Sequence, residues 1–386
     1  MIIKSVKGKK IKDSRGDWTI EVHLDTNVGK FFASAPNGRS KGKHEAKSYK
    51  KDVEGDIKSL DKLKDYFSSE YLEKFEDLRR IEDIAERQIG ANTLFALESA
   101  SLKAMAKEQG LEIWEVINPK AKILPRLVGN CVGGGKHSKE IGGRKPDFQE
   151  FLLIPKSNSA IESFDENKDA KKNAKTLLKQ KDKKFEGTKN DEDAWTTSLG
   201  DKEVLDLLTK LDIPLGLDVA ASSFFKRKKY HYCNPKLDRT GEEQLLYLFN
   251  LIRNFGIFYI EDPFGEEEFE EFSKLLEKFP NSLIVGDDLT VTNYKRLEKA
   301  IEAKAINAII VKPNQNGSLI QVKRVVELAK KNNVKTIFSH RSGETEESIL
   351  ADLAFGFQSD FIKCGITGIE REIKINRLIE IEKELK

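Results

Sequence analysis

Through the C-terminal part of this sequence, residues able to bind a metal or move a proton recur at nearly even intervals, each directly after a short apolar stretch. Asp218 follows Leu215-Gly216-Leu217, Glu261 follows the run ending in Ile260, and Asp287 follows the run ending in Gly286. Lys312 follows Ile309-Ile310-Val311, Ser339-His340-Arg341-Ser342 follows Thr336-Ile337-Phe338, and Lys363 follows Phe361-Ile362. The spacing is 26 residues from Glu261 to Asp287, 25 to Lys312, 28 to His340 and 23 to Lys363. Brought together, Asp218, Glu261 and Asp287 would repel one another unless a hard cation neutralised them, and magnesium is the economical choice for such oxygen donors. A positive charge beside Lys312 would lower its ammonium pKa and make it a general base near neutrality. His340, Arg341, Ser342 and Lys363 add a cationic, hydrogen-bonding wall, in which the planar guanidinium matches a phosphate or carboxylate. A small, doubly anionic substrate follows from that combination.

What must position these residues is a βα repeat. Runs of three to five Ile, Val and Phe residues read as strands buried on both faces, and the gaps between them carry helical periodicity. In a parallel β/α barrel the strand ends converge on one face, so residues distant in sequence meet around one ligand. Taken singly, a charged residue after a strand more simply caps the next helix. Five in succession, preceded by Asp218, argue for one site.

At 386 residues the chain exceeds the usual size of a single core, so two domains are expected, and 38% apolar residues suffice to build them. The surface is strongly charged, 34% of residues, yet 67 basic and 64 acidic residues leave a net charge of only +3. That balance gives no global field for nucleic acid or an anionic membrane. Cys131, Cys233 and Cys364 lack the even count and paired spacing of a disulfide framework or zinc site, which fits a cytoplasmic protein. No run of eighteen apolar residues and no export signal is evident, so neither membrane spanning nor secretion is expected.

In chain order, residues 1–36 alternate in the period of half-exposed antiparallel strands, most plainly from Thr19 to Asp25. Asp13-Ser14-Arg15-Gly16 and Pro36-Asn37-Gly38-Arg39-Ser40-Lys41-Gly42 read as loops, the second a candidate lid. Helical patterns are expected from Glu45 to Phe67 and from Asn92 to Gln109, the latter with Ala96, Ala100 and Ala104 on one close-packed face. The domain boundary is placed near Ile123-Leu124-Pro125, giving an α+β domain over 1–123 and a barrel over 124–386. Gly133-Gly134-Gly135-Lys136-His137 does not meet the phosphate-loop spacing. Gln149 to Pro155 reads as a strand with a carboxylate, Glu150, at its start. The lysine-rich stretch from Lys168 to Lys189 reads as a solvated helix and loop, without the interleaved aromatics of a nucleic-acid surface.

The segments Ile260-Glu261-Asp262-Pro263-Phe264, Val285 to Asn293 and Ser339 to Glu346 resemble the signature segments of the enolase family. The similarity extends to Asp13-Ser14-Arg15-Gly16, the Ser40 loop, Gly134 to His137, Gln149-Glu150-Phe151 and Asp218 to Ser222, and so covers essentially the whole chain. It implies an enolase-type variant β/α (TIM-like) barrel, with its first strands partly antiparallel, behind an N-terminal α+β domain. It implies magnesium-dependent, reversible dehydration of 2-phosphoglycerate to phosphoenolpyruvate, a carbon–oxygen lyase step of glycolysis and gluconeogenesis. Two Mg2+ ions are implied, one on Asp218, Glu261 and Asp287, the second bound with substrate at Ser40. Lys312 would be the base, Glu192 the acid with Glu150 linked to it, and His137, Gln149, His340, Arg341, Ser342 and Lys363 would hold substrate. The resemblance also implies a homodimer or larger even oligomer in which Glu21 and Arg371 approach each other across the interface.

The sequence departs from the family's runs at three places. Asp-Glu-Gly-Gly-Phe-Ala-Pro stands as Asp191-Glu192-Asp193-Ala194-Trp195-Thr196-Thr197, and Lys-Thr-Gly-Ala-Pro as Lys363-Cys364-Gly365-Ile366-Thr367. Arg39 and Lys41 flank Ser40 in place of small residues. A second carboxylate at Asp193, if close, would raise the pKa of Glu192 and favour its acid form. Two other functions compete: a diverged paralogue acting on a related small acid, and a non-catalytic enolase-like binding protein. A racemase or cycloisomerase of the wider superfamily would account for three carboxylates but not for the Ser40 loop or the His340-Arg341-Ser342 run.

Overall fold

Alternation of apolar and polar residues in the first 34 positions produces a three-stranded antiparallel sheet, β1 (Ile3–Lys12), β2 (Trp18–Thr26) and β3 (Gly29–Ser34). Ile20, Val22 and Leu24 lie on its buried face. The computed structural model describes the chain except for Ser40, Lys41, Ser68, Ser69, Glu86, Lys386 and the side chain of Lys64. The expected lid residue Ser40 therefore lies outside the described residues.

Helices α1 (Val53–Phe67), α2 (Leu78–Ala85), α3 (Ala91–Gln109) and α4 (Ile113–Ile117) follow. Ala96, Ala100 and Ala104 of α3 are fully buried, as their spacing predicts, and α3 packs on β2 and β3. The helix expected from Glu45 begins only at Val53. Residues 46–48 instead spend their backbone groups on tertiary partners: Ala46 N–H donates to the Gln315 carbonyl, and the carbonyls of Lys47 and Ser48 accept from Ala91 and Asn92.

The remaining chain builds the barrel: β4 (Arg126–Gly133), β5 (Glu150–Leu153), α5 (Ala160–Lys181), α6 (Asp201–Leu208) and β6 (Leu215–Asp218). A small antiparallel sheet of β7 (Phe225–Lys226), β8 (Lys229–Cys233) and β9 (Lys236–Arg239) precedes α7 (Gly241–Phe255). Regular units then follow: β10 (Tyr259–Glu261), α8 (Phe269–Lys278), β11 (Leu283–Gly286), α9 (Tyr294–Glu302) and β12 (Ala308–Val311). The chain ends with α10 (Pro313–Asn316), α11 (Leu319–Lys331), β13 (Lys335–Ser339), α12 (Ile349–Gly356), β14 (Phe361–Gly365) and α13 (Ile369–Glu384).

The barrel closes in the order β10-β11-β12-β13-β14-β4-β5-β6. All neighbours are parallel except β4–β5 and β5–β6, so β5 runs against the others. Its interior is a separate apolar cluster that includes Val128, Leu152, Tyr259, Val285, Ile310, Ile337 and Phe361. Side chains alternate along a strand, so the residue two positions nearer the mouth shares the inward face. On the parallel strands those residues are Asn130, Glu261, Asp287, Lys312, Ser339 and Lys363. On reversed β5 the position is two residues earlier, at Glu150. The plug of the barrel thus dictates which side chains reach the mouth.

Candidate active site

Register places three acids in one row at the mouth, because Asp218 pairs with Glu261 on one side and with Glu150 on the other. All three are buried. Burial pushes the Glu261 carboxyl up to about 8, with Asp218 adding to the rise and Lys363 opposing it. Lys363 Nζ lies 3.0 Å from Asp218 Oδ2, 2.8 Å from Glu261 and 3.1 Å from Glu150, and it sits among the carboxylates while also lining the pocket.

Asp287 lies just beyond β11 and is bonded to the Lys312 ammonium. Burial works to lower that ammonium's pKa, but the Asp287 carboxylate prevails and holds it above the usual lysine value. The lowering expected for Lys312 is therefore not produced by its protein neighbours, since the nearest charge is negative. Asp287 is itself aimed by Asp262, whose two carboxylate oxygens accept from the backbone N–H groups of Asp287 and Asp288 at 3.0 and 2.7 Å. Asp262 and Asp288 were not singled out from sequence, although both directly follow predicted site residues.

Across the pocket, His137 Nδ1 is 3.1 Å from Glu192 Oε1, and Asn130 Nδ2 donates to Glu192 Oε2 at 2.9 Å. Burial alone would raise the Glu192 carboxyl, but His137 and His340 beside it, with a hydrogen bond from Glu150, hold it well below the carboxylate range. Burial and the charge of Glu192 push Glu150 well above that range. These opposed shifts favour Glu150 over Glu192 as the seat of a proton shared by the pair. The rise expected from Asp193 does not occur, because the Asp193 carboxylate turns away toward Lys171 and Lys189, at 3.1 and 2.8 Å. Lys171 is also a correction to the solvated helix read from sequence: its side chain is 3% exposed.

The pocket between these groups is lined by His137, Gln149, Glu150, Glu192, Asp218, Lys312, Ser339, His340, Arg341, Ser342 and Lys363, with Gly38 and Arg39 at its edge. Gly38 is required there, since a Cβ would fall 1.8 Å from the Arg341 guanidinium. Arg341 bonds Glu45 at 3.0 Å and Asn314 at 3.2 Å, while the Ser342 hydroxyl accepts from the Arg39 N–H at 2.9 Å and from Arg15 at 3.0 Å. Gln149 donates to Asp218 Oδ2 at 3.2 Å. Asn130, Asp191 and Glu45 are site neighbours that the sequence did not disclose. Asn130 was legible in principle, two residues beyond the inward Val128.

Arg371 is turned inward and buried, donating to the Ser14 hydroxyl and to the carbonyls of Asp191 and Ser342 at 3.0, 3.0 and 2.8 Å. It is taken up within its own chain, so this conformation does not offer it to Glu21 of another copy.

The donor set suits a hard cation. Asp218, Glu261 and Asp287 offer only oxygens, their mutual repulsion is evident in the raised Glu261 pKa, and Asp287 Oδ1 is buried without a hydrogen-bond partner among the described residues. Among the described residues, the groups whose ligand atoms lie within 4.8 Å of one another are Asp262, Asp287 and Asp288, and His137, Glu150 and Glu192. A β/α barrel whose mouth gathers buried carboxyl groups, two inward lysines and buried histidines has the make-up of an enzyme's active site.

Comparison with known proteins narrows that class. Residues 3–117 match the family model described as "Enolase, N-terminal domain", and residues 121–386 match "Enolase, C-terminal TIM barrel domain". Similar proteins named enolase include that of Methanosphaera stadtmanae, 38% identical with 100% of this chain and 97% of the relative covered. Those of Pyrobaculum aerophilum (36%, covering 97% and 94%) and Sulfurisphaera tokodaii (37%, covering 99% and 96%) are similar over the same extent. The chain belongs to the enolase family, and with it to the carbon–oxygen lyases. No helix among the described residues is long and apolar enough to cross a membrane.

Proposed function

We propose that this protein catalyses the reversible dehydration of 2-phosphoglycerate to phosphoenolpyruvate with magnesium. The observation that carries the proposal is one pocket lined by Lys312, by the Glu150–Glu192 pair and by Asp218, which pairs in register with Glu261. Asp218, Glu261 and Asp287 would hold one magnesium ion, and Ser40 belongs to the proposed second site. Bound there, magnesium supplies positive charge where the substrate carboxylate becomes a dianion.

The chain's own residues account for the proton movements. Lys312, neutral once its pairing with Asp287 is released, takes the C2 proton, and the electron pair of that C–H bond becomes the C2–C3 double bond. The C3–O bond breaks, and the proton held between Glu150 and Glu192 leaves with the hydroxyl as water. His137 and Asn130 fix the Glu192 carboxylate, while His340, Arg341 and Ser342 bind and orient the carboxylate and phosphate of the substrate. A cytoplasmic homodimer is part of the same proposal.

The test is a spectrophotometric assay for phosphoenolpyruvate formed from 2-phosphoglycerate with added magnesium. Folded protein that forms none, yet still exchanges the C2 proton with solvent, would instead mark a diverged paralogue.

A further inference from the structure

Behind Glu192, outside the pocket, three side chains from separate parts of the fold meet: Lys171 of α5, Asp193 of the α5–α6 connection and Thr367 of the turn after β14. The buried Lys171 ammonium donates to the Asp193 carbonyl at 2.5 Å, to Asp193 Oδ2 at 3.1 Å and to the Thr367 hydroxyl. The Thr367 hydroxyl donates in turn to Asp193 Oδ2, and Lys189 Nζ reaches the same oxygen at 2.8 Å. Asp193 has a φ of 64°, in the left-handed region that non-glycine residues occupy only at a cost in free energy. Its carbonyl and carboxylate are both gripped by one ammonium, which holds it there.

The loop is closed on its other side by Asn190, whose side-chain oxygen accepts from the N–H groups of Glu192 and Ala194 at 3.0 and 2.9 Å. The β14 backbone abuts it so closely that a Cβ at Gly365 would lie 2.7 Å from the Glu192 carbonyl oxygen. A further tie to α5 comes from Trp195 Nε1, which donates to the Lys171 carbonyl at 2.9 Å. Asp193 and Thr367 are both positions where this chain departs from the family's runs, and here they are bonded to each other.

We propose that Lys171, Asp193 and Thr367 form one clamp that sets the backbone direction at Asp193 and thereby aims Glu192 at the substrate. They are positioning residues, since none of the three lines the pocket. The inference rests on the reading of Glu192, with Glu150, as the proton donor. Lys312 directly follows β12, a different element, so the clamp acts on departure of the hydroxyl and not on removal of the C2 proton.

The test compares Lys171→Met, Asp193→Asn, Thr367→Val and the pair Lys171→Met/Asp193→Asn with wild type. In each, C2-proton exchange in heavy water and phosphoenolpyruvate formation are measured on one sample, with hydrogen exchange of the loop amides from Lys189 to Thr196. Dehydration should fall roughly tenfold or more through misplacement of the donor. C2 exchange should stay within about twofold, and the loop amides should exchange faster. The double variant should lose no more than the worse single one, because both changes break the same contact. Lys171→Arg should recover most of the dehydration. Equal loss of exchange and dehydration, or loop amides that exchange as in wild type, overturns the clamp. Glu192→Gln measured alongside separates the two claims: if it dehydrates at the wild-type rate the donor assignment fails, while the loop amides of Lys171→Met still judge the clamp. Thr367→Val removes only a hydroxyl at a half-buried position and carries the same readouts should Lys171→Met fail to fold.

Discussion

The ammonium of Lys363 is 2.8 Å from both carboxylate oxygens of Glu261, and the same group serves Asp218 and Glu150. One buried ammonium therefore serves three buried carboxyl groups. Replacing it by Met should destabilise the protein by roughly 3–5 kcal/mol, the usual cost of leaving buried charges unpaired. Magnesium should return part of that loss, raising the unfolding temperature of Lys363→Met more than that of wild type. Equal shifts in the two proteins would mean that ion and ammonium do not share the same carboxylates. In wild type, excess chelator should abolish dehydration and added magnesium restore it.

Lys312 is the one group proposed to take the C2 proton. Lys312→Ala should lose both proton exchange and dehydration, by several orders of magnitude. Exchange that survives would move the base to another residue.

The acid pair can be cut from the base. Glu192→Gln should block phosphoenolpyruvate formation by about 100-fold or more while C2 exchange remains measurable. Glu150→Gln, at the residue that keeps the proton, should act on the same step and spare exchange in the same way. A Glu150→Gln variant that dehydrates normally would show that Glu192 needs no shared proton.

Buried carboxyls far from the mouth make stability depend on pH. Glu98 of α3 is fully buried, its pKa raised well above the usual range by burial and then by Glu82, which burial raises to about 7. Burial, with Asp147 near, raises Asp201 to about 8. In the unfolded chain such groups lose their protons near pH 4. Between about pH 4 and 8 the folded protein therefore holds protons that the unfolded chain has lost, and stability declines as pH rises through that window. Glu98→Gln should flatten the slope of the urea midpoint against pH; an unchanged slope would exclude this glutamate as a source.

Arg371 supplies a test of how its buried guanidinium is used. Arg371→Ala should lower stability by roughly 3 kcal/mol or more, from the loss of hydrogen bonds to Ser14, Asp191 and Ser342. It should leave the oligomer observed by light scattering unchanged. Dissociation without loss of protomer stability would return it to the interface.

The barrel strands and their terminal residues were legible because an apolar run buried on both faces has few other uses, and because the inward register repeats every second residue. Lys312, Glu261 and Lys363 follow from that rule. Glu192 does not, since it stands on a connection between helices and only family resemblance pointed to it. The inward turn of Lys171 was hidden by its neighbours: α5 also carries Lys168, Lys172, Lys175, Lys179 and Lys181, and nothing local distinguishes the one that pairs across the fold with Asp193 and Thr367. The burial of Arg371 is not legible locally for a similar reason, because its partners within the chain are a hydroxyl and carbonyls supplied by residues remote in sequence. The start of α1 was misplaced because backbone partners of residues 46–48 lie in α3 and beyond β12.

The reversal of β5 has a mechanical outcome. β5 enters from the mouth and ends beside the start of β6, and the chain between them climbs along α5 and comes back along α6, with a bend at residues 182–200 that carries Glu192 into the pocket. Glu192 rides on this bend, whereas Lys312 is mounted on the barrel wall. The two groups thus have separate mountings, and the Glu192 loop is tied to the barrel wall at β4, where the Trp195 N–H donates to the Cys131 carbonyl at 2.9 Å and Asn130 donates to Glu192. Substitutions on the α5–α6 excursion can therefore shift Glu192 while Lys312 keeps its alignment, so the two proposed proton movements can be altered one at a time.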